Sequence, residues 1–164
     1  MNDNSTRRRK HGARLYNVLF PMWMFYLFPT WLWLVILPAN FAIDSLVLCL
    51  AMRRLEIAGR REIWRKSIFR IWAIGFLSDF LGALLTLGLM LMIDAAHLSW
   101  DVYLFPGTTL LAIPGVVLSG ALIYMLNKRY AFVKCMSDER QIHKLSLALA
   151  VFTAPYAMLI PLYG

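Results

Sequence analysis

Asp44 and Asp79 each stand inside a long apolar run that holds no lysine or arginine. A carboxyl group at the centre of a bilayer costs about 2.5 to 3.5 kcal/mol even on lenient insertion scales. With no cation beside it, each acid must be protonated, share a proton with the other, or hold a cation or a polar solute. Those are the ingredients of a proton- or cation-coupled site.

Their depth can be counted. Asp44 lies nine residues before Arg53, and Asp79 nine residues after Arg70. Nine residues of helix rise about 13.5 Å, close to half of a ~30 Å hydrocarbon core. The same count from Lys128 reaches Ser119, and from Lys144 it reaches Thr153. Four helices thus bring Asp44, Asp79, Ser119 and Thr153 to one mid-membrane layer, with Ser45, Ser78 and Gly120 adjacent. Asn40 lies one turn from Asp44, directly after a break expected at Pro38-Ala39. The candidate solute- or ion-binding residues are therefore Asp44, Asp79, Asn40, Ser45, Ser78, Ser119 and Thr153. The same groups also fit a structural role, in which protonated acids and hydroxyls tie helices together at around 0.6 kcal/mol per bond.

Other chemistry is weaker. Asp94, His97 and Asp101 could share a helical face, but three such ligands at loose spacing read as a solvated loop. Cys49 falls in an apolar run and Cys135 in a basic loop, so neither a disulfide nor a metal site is expected. His11, His97 and His143 all lie outside the polar layer. No nucleophile elbow, phosphate loop, H-E-x-x-H or C-x-x-C is present. No catalytic residue, metal ligand or cofactor is expected.

The elements that must position the layer follow from the charges. All 17 Lys and Arg residues fall within 7–14, 53–70 and 128–144, while 15–52, 71–127 and 145–164 hold none. Basic loops gather on the cytoplasmic side of polytopic membrane proteins. The chain therefore reads as an all-α integral membrane protein of the cell membrane. A basic N-terminal segment, 1–14, precedes a single transmembrane domain, 15–164. Five spans are expected at about 15–29, 31–52, 71–93, 102–127 and 145–163, with the N-terminus inside and the C-terminus outside. The first two form a Pro-rich hairpin turning near Pro29-Thr30. Laying 15–33 on the outer surface leaves four spans, but puts five basic residues on the wrong side. The apolar run after the basic start is too long for a signal peptide and has no A-x-A site, so it reads as retained.

Within these spans, Pro106-Gly107 and Pro114-Gly115 are expected to break the fourth near its outer end. Gly75, Gly82 and Gly88 are expected to allow close helix approach. The stretch 53–70 reads as an interfacial amphipathic helix. Glu56/Arg60 and Glu62/Lys66 are spaced as i,i+4 pairs, and Leu55, Ile57, Ile63, Trp64, Ile68 and Phe69 are expected to face lipid.

The net charge of +8 points to anionic lipid headgroups rather than nucleic acid, since no soluble fold presents the cations. Three function classes stay open. The first is a small transporter or channel, oligomeric because five short spans enclose little volume. The second is a non-catalytic subunit of a larger membrane complex. The third is a lipid-modifying enzyme with Asp44 or Asp79 as general base.

Overall fold

A computed structural model describes Trp31 and residues 33–96, 106–133 and 135–160, and among these every regular element is helical. α1 is Trp33–Arg54, α2 Arg60–Ala95 and α3 Gly107–Leu126, continued by a π-helical turn, Asn127–Ala131. α4, Glu139–Thr153, is followed by a 3₁₀ turn, Tyr156–Leu159. Among the described residues, four helical segments are long and apolar enough to cross a membrane. The span expected at 15–29, with the N-terminus and the Pro29-Thr30 turn, lies outside the described residues. His97 and Asp101 do as well.

Several expected boundaries move, each for a local reason. The stretch 53–70 is not a separate interfacial helix. A tight turn with left-handed Glu56 and Gly59 (φ 53° and 67°) ends α1. From Arg60 the chain then runs unbroken into the apolar span for 36 residues, about 54 Å of helix. No proline or glycine interrupts its first turns. The Glu56/Arg60 pair does not form, because the turn separates the two. Lys66 does bond Glu62 at 2.6 Å, which holds the exposed Glu62 below its ordinary carboxylate value. The apolar face of this stretch meets protein rather than lipid: Ile57, Ile63 and Ile68 are buried, and only Phe69 is strongly exposed.

Pro38 and Pro114 break nothing, since α1 and α3 run through them. Pro106 instead caps the start of α3. α4 begins earlier than expected, because Asp138 caps it by accepting from the Arg140 and Gln141 amides at 2.9 and 3.4 Å. It also ends earlier, at Thr153. Ala154 precedes Pro155 and takes extended ψ (146°), as the residue before a proline prefers.

The interior is divided along the bundle. One apolar cluster joins Leu48, Met52, Ile57, Ile63, Ile71, Ile123, Phe132, Ile142 and Leu149. It spans both basic connections, so these lie at the same end of the molecule. A second cluster, Ala83, Met90, Leu111, Ala112, Val116 and Met158, fills the opposite end. Outward faces are strongly apolar, with Leu34, Leu46, Leu91, Met92, Val117 and Phe152 all exposed. That is the surface a lipid-immersed bundle presents.

Candidate functional site

The polar residues occupy the level between the two apolar clusters. On α2 the break falls between Ile71 and Ala83, and Asp79 stands in it. On α3 it falls between Val116 and Ile123, where Ser119 stands, and on α4 beyond Leu149, where Thr153 stands. Asp44 enters from α1, one turn before Leu48.

Close helix approach explains how such short side chains meet. A methyl group on Gly82 would stand 2.5 Å from the Gly115 carbonyl oxygen, and one on Gly115 would collide with the Thr86 hydroxyl. The α2 and α3 backbones therefore touch at these two glycines. Asp79 lies one turn before Gly82, and Ser119 one turn after Gly115. At that separation the Ser119 hydroxyl donates directly to Asp79 Oδ1 at 2.6 Å, fully buried. Gly115 was expected to break α3; it acts instead as the contact point. Gly88, expected to pack, faces open space.

Asp44 is 5% exposed and Asp79 4%, so neither can be solvated as a surface acid is. A methyl group on Gly75 would lie 3.4 Å from Asp44 Oδ2, so the carboxyl rests against the α2 backbone one turn from Asp79. Asp44 and Asp79 line the same cavity. Thr153 lines the same cavity as Asp44 and donates its own proton to the Leu149 carbonyl at 2.8 Å.

These groups wall one cavity of 220 Å³ between α1, α2 and the end of α4. That is far above the ~10–15 Å³ a single water needs. Asn40, Asp44, Asp79 and Thr153 line it, with Pro155 and Tyr156 where α4 ends. Four of the seven expected residues thus line the cavity, and Ser119 is bonded to one of these four, Asp79, from behind. Ser45 and Ser78 turn elsewhere. Ser45 accepts from Trp64 Nε1 at 2.6 Å, and Ser78 donates to the Ile74 carbonyl at 2.7 Å.

The chain matches no known protein family, no curated protein and no solved structure.

Two polar features escaped the sequence. Asn127, in the π-helical turn, is fully buried with neither amide atom bonded, and Ser146 Oγ is buried and unbonded as well. Counting from the cations placed Asn127 at the membrane edge, where an amide expects water. His143 lies at the basic end, where its Nδ1 meets the Tyr124 hydroxyl at 2.8 Å. Among the described residues no three His, Cys, Asp or Glu side chains gather into a metal-ligating group.

Proposed function

We propose that the protein is a small membrane transporter or channel in which Asp44 and Asp79 bind a proton or a cation. The observation that carries this reading is the cavity itself. Two buried carboxyls, an amide and a hydroxyl line one space of 220 Å³ with no lysine or arginine among its walls. Such a chamber is electronegative when either acid is ionised, and it stays dry or neutral only at a cost. Helices used purely as scaffolding have no need to leave a space beside their acids.

The basic connections would face the cytoplasm in this reading, following the positive-inside bias. Asn40 and Tyr156 then form the outward part of the chamber, because α1 enters from that end and α4 finishes there. Ser119 holds Asp79 in place from outside the chamber. The solute is one small enough to fit beside the acids, and an oligomer completes the path.

A partner-subunit reading is favoured by α1, whose apolar window is only 11% buried among the described residues. A helix so little covered is free to pack on a larger complex.

Reconstitution in liposomes separates the two. An imposed pH or cation gradient should dissipate through the wild type, as read by a trapped fluorescent indicator, and not through Asp79→Asn. Equal leak from liposomes holding either protein, or none above lipid alone, would leave the subunit reading in its place.

A further inference from the structure

A second groove lies on the outer seam between α1 and α4. It measures 550 Å³. Val47, Leu50 and Ala51 line it from α1, and Ala148 and Phe152 from α4. The helices are antiparallel here, with Val47 level with Phe152 and Arg54 level with Lys144. From Val47 to Arg54 the trough runs seven residues, about 10 Å of helix. Its long walls are apolar, and its basic end is closed by two cations, Arg54 and Lys144. Both are exposed. Among the described residues neither has a carboxylate partner, since the one ion pair joins Glu62 and Lys66.

We infer that this groove is a binding site for one anionic phospholipid, its phosphate between Arg54 and Lys144 and an acyl chain along Val47–Phe152. The argument rests on how charge and apolarity are ordered. A trough at membrane depth takes a hydrocarbon chain whatever its ends carry. Two unpaired cations at its interfacial end add a preference for a headgroup with net negative charge. Arginine supplies a planar fork that fits phosphate oxygens, and lysine a mobile point charge on the other side. A second copy of this chain is a poor occupant, because a copy inserted with the same orientation brings its own cations to the same level. The site also has a consequence for the chamber. Phe152 lines both the groove and the acid cavity, so a chain seated in the groove presses on a wall of the other space.

The test is native mass spectrometry of the full chain, delipidated in detergent and titrated with phosphatidylglycerol or phosphatidylcholine of identical chains. One phosphatidylglycerol should bind with clear preference over phosphatidylcholine, and glycerol 3-phosphate alone should not displace it. Two surface cations account for roughly thirtyfold in affinity. The double variant Arg54→Gln/Lys144→Gln should lose about that preference. A matched double variant, Arg61→Gln/Arg65→Gln, removes the same charge from another face and should keep it. Ala148→Phe, which fills the trough and leaves every charge, should reduce binding of both lipids. Equal affinity for the two lipids would overturn the site, as would an equal loss in the two charge variants. The readout is binding alone, so it stands or fails independently of any transport activity.

Discussion

The Ser119 hydroxyl bridges two helices to reach Asp79 Oδ1 at 2.6 Å. Ser67, Ser78, Thr86 and Thr153 instead turn theirs back to the carbonyl four residues earlier on their own helix. Back-bonding is the default for a hydroxyl in an apolar helix, because it satisfies the donor locally. Ser119 departs from it because the glycine contact brings Asp79 nearer. Replacing Ser119 by alanine leaves a buried carboxyl without its donor, a loss of about 1–3 kcal/mol. Thermal unfolding in detergent should show that loss in Ser119→Ala. It should be largely absent in Ser78→Ala, whose hydroxyl serves only its own helix.

The glycine contact itself gives a sharper expectation. Gly115→Ala drives a methyl group into the Thr86 hydroxyl and the Gly82 backbone, and backbone cannot move aside as a side chain can. Overpacking of this kind costs about 1–3 kcal/mol, and it separates α2 from α3 beside Asp79. Gly88→Ala, which meets open space, should leave stability unchanged or slightly improved. Unfolding midpoints of the two variants that match each other would mean that the helices do not touch at Gly82 and Gly115.

Much of this was legible from the chain. Counting nine residues from each cation found Asp44, Asp79, Ser119 and Thr153, because apolar helices between charged ends have a fixed rise per residue. Counting gives depth and not azimuth. Ser45 and Ser78 have the right depth and the wrong face, and only packing decides which face turns inward. Proline was over-read for the same reason. Pro38 is the sixth residue of α1 and Pro114 the eighth of α3, past the four amides a helix leaves free, and each helix runs on around the one lost bond, whereas Pro155 does end α4. The stretch 60–70 misled because an amphipathic face looks the same whether it meets lipid or the buried Phe132 and Leu145 of its own bundle.

Asn127 should be dispensable for folding. Its amide is fully buried without a protein partner, and removing an unsatisfied polar group of similar volume is neutral or stabilising. Asn127→Leu is expected to hold or raise the unfolding midpoint. A marked fall would reveal a bound water or solute that satisfies the amide, and would make the π-helical turn part of a polar path.

The two aspartates should act as one unit. Asp44→Asn and Asp79→Asn keep shape and remove charge, and Asp79→Asn still accepts from Ser119. Each single change should abolish gradient-driven flux in liposomes. The double variant should then lose little more, because residues serving one site are not additive. Two partial losses that sum would assign the acids to separate tasks.

Whether water reaches the chamber decides between a transport site and a dry packing layer. A proton or cation can arrive at Asp44 and Asp79 only through a wetted space. Asn40 lines the cavity on the side away from the basic connections, so a cysteine placed there reports on that space directly. The native thiols Cys49 and Cys135 are both partly accessible and must first be changed to serine. In that background, Asn40→Cys should react with a small, membrane-impermeant thiol reagent in the folded protein, and a bulky cation filling the chamber should slow the reaction. Leu85→Cys, on the exposed apolar face of α2, should stay unreactive in a bilayer, since lipid excludes the charged reagent and keeps the thiol protonated. If Asn40→Cys is as inert as Leu85→Cys, the chamber is dry. The acids then serve to hold helices together, and the search for function moves to whatever packs against α1.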